Sequence, residues 1–392
     1  MIHSVNGLNR MKTVFISNYY SPHQQPLADA LAAHSDFSFI CTKEMPEERI
    51  LLGWEEKSPS YTLHIQDVAE KLVRERLMNA DVVIAGSAPE KWLRARKAAG
   101  KLVFRYSERP LKQGIQPAKF LPRYLKWHLR IPRAKPIYLL CASAYAAWDY
   151  SRFGLFKNRC YKWGYFPPTR RYDEIDMLIQ RKDPRRLLWC GRFLDWKHPD
   201  DAIYAVAGLR DSGVLFQLDL IGTGPMEAQL QEMIRELKLE EQVHLLGAMP
   251  PERVRDHMER VGIYLITSDR QEGWGAVVNE AMNSACTVIS SHAVGSAPYL
   301  IRHGHDGIMY PYGNVAALTD RLAGLLKEPG RQAQLGKEAY RTITEEWNAE
   351  TAATRLLALS QSILEGNTAP DLYPSGPCSR AEILRDDWFC GD

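Results

Sequence analysis

The chain has 392 residues, 45% of them hydrophobic and 25% charged. That is the composition of a soluble globular protein long enough for two domains, each burying its own core. Its seven cysteines are odd in number and show no C-x-x-C spacing, which argues against a disulfide framework or a zinc site and for reduced thiols in a cytoplasmic protein. The net charge of +3 hides an asymmetry: residues 1–170 carry 27 Lys and Arg against 14 Asp and Glu, a balance of +13, and residues 171–392 a balance of −10.

In chain order, residues 1–10 precede a second methionine, Met11, which is an alternative start. The apolar stretch Val14-Phe15-Ile16 that follows is too short for a signal peptide. TVFISN (13–18) reads as a buried strand, followed by a polar loop, SNYYSPHQQPL (17–27), and the helix-prone PLADALAAH (26–34). FSFICT (37–42), DVVIAG (81–86), KLVFRYS (101–107) and IYLLCAS (137–143) read as further strands, with helical stretches at 68–80 and 90–100. The apolar run 137–148 is too short to span a bilayer. Between the last two strands, PAKFLPRYLKWHLRIPRAKP (117–136) interleaves Lys119, Arg123, Lys126 and Arg130 with apolar and aromatic residues and holds no acid. This suits the surface of an anionic membrane as well as a packed helix with a basic face, and Pro122 and Pro132 limit the expected helix to 122–131. RNA is a further partner for such a segment, but no nucleic-acid motif accompanies it.

Pro167-Pro168, within KWGYFPPTRRYDEID (162–176), marks the expected boundary, because regular structure stops and the charge sign flips there. Beyond it the strand and helix rhythm resumes with LLWCG (187–191), FQLDLIG (216–222), VHLLG (243–247), GIYLIT (262–267) and CTVISS (286–291). Near-continuous apolar strands alternating with helices predict two α/β, Rossmann-like halves with parallel sheets, whose ligands bind at the carboxyl ends of the strands. The tail 366–392, rich in Pro, Gly and Ser at its start, is expected to be flexible.

The loops after the C-terminal strands carry the chemistry. Gly191-Arg192 with Lys197 places a planar fork and a point charge beside a helix start, a pair suited to phosphate oxygens or simply exposed there. Gly222-Thr223-Gly224-Pro225 and Gly247 end the next two strands, as ligand-approaching loops or ordinary turns. Glu272 and Glu280 bracket EGWGAVVNE, where Gly273 and Gly275 argue for a loop running into a helix that starts before Glu280. Two carboxylates facing one polar ligand suit vicinal hydroxyls, as in sugars and riboses.

In this order, across about 187–315, these motifs resemble the retaining nucleotide-sugar glycosyltransferases of the GT-B fold, glycosyltransferase family 4. The stretches 40–54 and 162–167 are similar to bacterial surface-polysaccharide glycosyltransferases. The resemblance implies two Rossmann-like domains facing across a cleft, an acceptor side at 1–167 and a donor side at 168–344, with a helix near 345–365 crossing back to the first domain and anchored by Trp347. It implies that Arg192 and Lys197 neutralise the diphosphate of a nucleotide-sugar co-substrate, that Glu280 accepts from the ribose and that Glu272 accepts from the donor sugar. Backbone amides of Gly273, Trp274 and Gly275 would line the sugar pocket, Gly222 and Gly224 would let backbone approach the nucleotide, and the stretch after Gly247 would face the base. No D-x-D tripeptide is present to hold a divalent ion, so no metal and no further cofactor are expected. On the first domain, His23 is the catalytic-side candidate, with Glu108 and Arg109 as acceptor-side candidates or as a pair with each other. The implied activity is transfer with retention to a glycan or lipid-linked glycan acceptor at the inner face of the membrane. Rival readings are a GT-B epimerase or phosphorylase and a non-catalytic sugar-nucleotide-binding subunit. His198, where the family often has glycine, and Ala285 and Thr287, which replace its usual glycine and proline, depart from the pattern.

Overall fold

Strand β1 (Lys12–Ser17) buries every residue after the first, which its unbroken apolar run requires of a central parallel strand. The computed structural model describes residues 10–47, 59–210 and 213–389, so residues 48–54 of the 40–54 stretch, and Cys390, lie outside the described residues. β1 pairs in parallel with β2 (Asp36–Cys41) on one side and β4 (Val82–Ala85) on the other. With β3 (Thr62–His64), β5 (Val103–Ser107), β6 (Ile137–Cys141) and β7 (Cys160–Lys162) they form a sheet of order β3-β2-β1-β4-β5-β6-β7. The second sheet has the order β10-β9-β8-β11-β12-β13, from β8 (Asp183–Cys190), β9 (Gln217–Ile221), β10 (Val243–Leu245), β11 (Val261–Ile266), β12 (Thr287–Ser291) and β13 (Ile308–Tyr310). All strand pairings in both are parallel. This is the two-domain GT-B architecture, in which strand carboxyl ends of both sheets meet one cleft.

Each sheet has its own outer core, around Val14, Val83 and Leu139 in the first and Leu187, Leu218 and Ile263 in the second. A further apolar cluster runs through both domains, from Phe15 and Phe104 to Tyr264, Trp274 and Leu356. The helix Ala349–Leu364 carries it across: Ala352, Ala353, Leu356 and Leu359 are buried, and its Glu350 pairs with His34 at the end of the helix Gln25–His34. Asn348 caps it by accepting from the Thr351 amide at 2.9 Å. Just before it, Trp347 is buried and stacks on Tyr299 with centroids 5.8 Å apart.

Two stretches differ from their sequence reading. The basic segment forms one helix, Pro117–Arg130, with Pro122 inside it instead of at its start. A proline deprives the carbonyl four residues back of its donor; here that is Ala118, and since Ala118 and Pro122 are both exposed, solvent can serve the carbonyl. The tail, expected to be flexible, is pinned as far as residue 389. Lys162 N–H donates to the Ser379 carbonyl at 2.8 Å and Ala381 N–H to the Cys160 carbonyl at 3.1 Å, extending the exposed edge of β7. Asp386 then reaches Arg109 at 2.6 Å, and the Trp388 indole donates to the Tyr145 hydroxyl at 3.0 Å. The proline-rich composition reflects a chain that runs without regular structure, yet its hydrogen bonds to β7 and the buried Cys378 hold it down.

Candidate active site

The loops after β8, β9 and β10 are knitted through their main chains. Gly191 N–H donates to the Ile221 carbonyl at 3.0 Å, Phe193 N–H to Thr223 at 2.9 Å, and Gly222 N–H to Gly247 at 2.8 Å. Gly222 permits this approach: at φ 147° a Cβ would fall 1.8 Å from the Gly191 carbonyl oxygen. Arg192 stands exposed on this frame, with no side-chain partner among the described residues. Lys197 ends a short 3-10 turn, Asp195–Lys197, whose last carbonyls accept from the Thr267 hydroxyl at 2.8 Å and, at His198, 2.6 Å.

The Lys197 ammonium lies 2.5 Å from Glu272 Oε2, over the Trp196 ring at 4.8 Å, and Ser268 donates to the same carboxylate oxygen at 3.2 Å. Glu272 begins the glycine loop that feeds the helix Ala276–Asn283, with Gly275 at φ 82° as its left-handed entry. The amides of Gly273 and Trp274, ahead of the helix, and of Gly275 and Ala276 at its start find no backbone acceptor among the described residues, which leaves them as donors for a ligand. Trp274 itself is buried, its indole donating to Asn279 at 2.8 Å, and a Cβ on Gly164 would strike its ring. The loop is therefore positioned by its tryptophan.

Glu280, on that helix, is half-buried, and its carboxylate has no hydrogen-bond partner among the described residues. Burial pushes its carboxyl above the usual range, opposed by Arg255 and Arg170. Burial, with Glu280 nearby, also pushes the Cys190 thiol up to about 12, so this thiol is inert. Arg255 is buried and donates to Asn283 at 2.7 Å, so it lends field to the site without touching Glu280.

Across the cleft, the carboxyl ends of β1 and β5 supply Ser17, His23 and Glu108 to a cavity of about 600 Å³ that Glu272, Trp274 and Gly275 close from the other side. His23 lies beside the Tyr165 ring, with centroids 6.2 Å apart. Glu108 accepts from the Tyr165 hydroxyl at 2.8 Å, pairs with Lys112 at 2.6 Å, and lies so near Gly273 that a Cβ there would meet its Oε2 at 2.0 Å. Arg109 lines the same cavity, but its guanidinium is buried and committed to Asp149 at 2.9 Å and Asp386 at 2.6 Å, over the Tyr145 ring. Glu108 and Arg109 thus do not pair with each other, and Arg109 is bound into the scaffold and its tail. Tyr165, missed in the sequence, joins His23, Glu108 and Trp274; the one signal was its place in KWGYFP, ahead of the domain boundary.

The departures from the family pattern also find positions. His198 has φ 48° and Ala285 φ 54°, both left-handed, where glycine is unstrained. His198 makes a hydrogen bond to Tyr312 Oη at 3.1 Å. With Asp200 and Asp201 it also brings three metal-capable atoms within 4.8 Å of one another. The two acids occupy the first turn of the helix Pro199–Arg210, where carboxylates complement the helix dipole without any ion.

Comparison with known proteins bears on the fold and on the family resemblance. Residues 173–342 match the sequence model of the family described as glycosyl transferases group 1. The chain is 29% identical over 185 residues, 46% of this chain and 45% of that protein, to the amylovoran biosynthesis glycosyltransferase AmsK of Erwinia amylovora. It is 26% identical over 186 residues, 46% of each chain, to the putative colanic acid biosynthesis glycosyltransferase WcaL of Escherichia coli. These matches thus span about half the length of the curated relatives. In fold, it is similar to Alr3699/HepE of Anabaena in complex with UDP, with TM-score 0.65, 16% identity, and 90% of this chain and 100% of that one covered. A glycosyltransferase from Rickettsia africae has TM-score 0.66 at 12% identity, with 92% and 100% covered.

Proposed function

From a chain whose residues 173–342 match the glycosyl transferases group 1 model on a GT-B fold, we propose a retaining enzyme that moves a sugar from a nucleotide diphosphate sugar to a glycan or lipid-linked glycan acceptor, in surface-polysaccharide synthesis. The observation that carries this reading is the pairing of Lys197 with Glu272 at 2.5 Å on the same wall as Glu280, which shares the neighbourhood of Cys190 with Lys197 and whose carboxylate has no hydrogen-bond partner among the described residues. A cation and two carboxylates on one wall suit the three parts of a nucleotide sugar: diphosphate, donor sugar and ribose. As a pair, Lys197 and Glu272 compensate each other's charge. A donor diphosphate would draw Lys197 toward itself and free Glu272 for a sugar hydroxyl.

In this reading Arg192 and Lys197 stabilise the charge that develops on the leaving nucleoside diphosphate. The free amides of Gly273 to Ala276 receive the sugar or phosphate oxygens, and His23, across the cleft, holds the acceptor or a donor hydroxyl. The leaving phosphate accepts the acceptor proton on the same face, so configuration is retained. Side-chain cations in place of a D-x-D site make the step metal-independent. The UDP bound by the Anabaena relative supports a nucleoside diphosphate as the ligand here.

The helix Pro117–Arg130 supports work at a membrane surface. It has no buried residue, and Leu121, Leu125 and Leu129, one turn apart, are 63%, 55% and 84% exposed. Phe120, Tyr124 and Trp127 pack on the protein body, so the leucine stripe faces away from it. Lys119 and Lys126 are exposed as well. Apolar insertion with basic residues, each contributing about 1 kcal/mol near an anionic surface, fits peripheral binding. Among the described residues no helix is long and apolar enough to cross a membrane.

The test is nucleotide release from a panel of nucleotide sugars, with and without an acceptor extract. Release that needs the acceptor, with a product linkage of the donor's anomeric configuration by NMR, is expected. Turnover without acceptor favours the epimerase, and binding without any turnover the non-catalytic subunit.

A further inference from the structure

At the amino ends of β6 and β7, the end of the sheet away from the cleft, lies a second cavity of about 680 Å³. Four cations line it, Arg133, Lys157, Arg159 and Arg380, and no acid does. Two of them are engaged: Arg159 donates to the Arg133 and Lys135 carbonyls at 3.1 and 2.6 Å, and Arg380 to the Asn158 carbonyl at 2.7 Å. Arg133 and Lys157 are exposed and have no side-chain partner among the described residues. The walls between them are apolar, from Ile131, Leu155 and Phe156.

The loop that forms the floor is strained. Phe156 has φ 54° and Asn158 φ 57°, and a left-handed aromatic residue persists only where its surroundings hold it. Phe156 is buried, and its carbonyl accepts from the Cys160 thiol at 3.5 Å. Backbone strain of this kind clusters at ligand sites, and here it turns the Phe156 ring into the core and lets the Asn158 carbonyl fix Arg380.

We propose that this cavity is a second binding site, for an anionic amphiphile of the phospholipid class, with the phosphate held by Arg133 and Lys157 and the chain against Ile131, Leu155 and Phe156. Charge alone would suit free phosphate, but the apolar walls select a ligand that carries a chain. The cavity also begins at Ile131, the residue after the helix whose exposed leucines run toward it, so a lipid source is adjacent. The site is independent of sugar transfer; it shares with the previous reading only the membrane as source, and the experiment separates the two.

Calorimetry of the full chain with dihexanoyl phosphatidylglycerol, kept below its micelle threshold, tests it against dihexanoyl phosphatidylcholine and inorganic phosphate. The anionic lipid should bind roughly tenfold or more tightly than either comparison ligand, and Arg133→Gln with Lys157→Gln should abolish that margin without shifting the thermal midpoint. Ile383→Glu, an exposed wall residue, should weaken lipid binding in the same direction. Leu121, Leu125 and Leu129 changed together to Ser should release the protein from anionic vesicles yet leave soluble-lipid affinity intact. Equal affinity for the zwitterionic lipid or for phosphate would overturn the proposal. So would unchanged binding in the double variant, or loss of soluble-lipid binding in the leucine variant, which would place the lipid on the helix.

Discussion

The two walls of the cleft are built on different principles. On the C-terminal side, main-chain hydrogen bonds between successive loops set the geometry, and the side chains of Arg192, on that frame, and Glu280, on the following helix, have no partner among the described residues. On the N-terminal side the polar groups are tied to one another: Glu108 to Tyr165 and Lys112, Arg109 to Asp149 and Asp386. The C-terminal wall thus leaves Arg192 and Glu280 available to a ligand, although Lys197 and Glu272 pair there, whereas Glu108 and Arg109 on the N-terminal wall are committed within their own domain and to the tail.

This contrast can be broken most sharply at Asp149. If Arg109 is scaffold, Asp149→Ala leaves a buried guanidinium short of its main partner and should cost about 3–5 kcal/mol of stability by chemical denaturation. A loss under 1 kcal/mol would return Arg109 to the ligand-binding side. On the donor wall the effects should fall on rate instead. Lys197→Ala or Arg192→Ala should cut turnover by about 100-fold or more, since losing a donor to developing charge costs about 2.7–4 kcal/mol, with the melting midpoint nearly unchanged. Near wild-type rates in both would remove the diphosphate role. Chelation by EDTA should leave activity in place; loss restored by magnesium would instead assign an ion to His198, Asp200 and Asp201.

The fold was legible where strands are central. β1, β6 and β11 are buried on both faces, so their sequences are unbroken apolar runs. β3, β7 and β13 escaped notice as three-residue strands; β10 is as short, but its continuation into Leu246 and Gly247 made it readable. The donor loops were legible because glycine, arginine and glutamate there serve a backbone geometry that few other residues fit. Tyr165 and the commitment of Arg109 were opaque for the opposite reason: their roles come from partners 40 or more residues away, Glu108 for Tyr165 and Asp149 and Asp386 for Arg109, and no local pattern announces a long-range contact.

The smaller predictions sharpen the picture of the donor wall. Ala285 occupies a left-handed position, so Ala285→Gly should raise stability by up to about 1 kcal/mol, the strain relieved exceeding the added entropy of the unfolded chain; a destabilised variant would mean that the methyl group packs productively. Glu280 has its carboxyl raised above its ordinary 4.5 by burial. Its protonated form favours the fold, so this contribution is present at low pH and is lost as pH rises through the raised value. Nucleotide affinity should run the other way, weakening as pH falls through the same window because the neutral carboxyl loses an acceptor site. An affinity that does not change with pH above the ordinary 4.5 would contradict that.

The central claim is that two carboxylates eight positions apart divide one donor between them, ribose to Glu280 and sugar to Glu272. Calorimetric titration with the free nucleoside diphosphate, on the unmodified chain, Glu280→Ala and Glu272→Ala, tests it directly. The account predicts a marked loss of affinity in Glu280→Ala and nearly intact binding in Glu272→Ala, whose defect appears only in sugar transfer. Equal loss of nucleotide affinity in the two variants, or none in either, would contradict it.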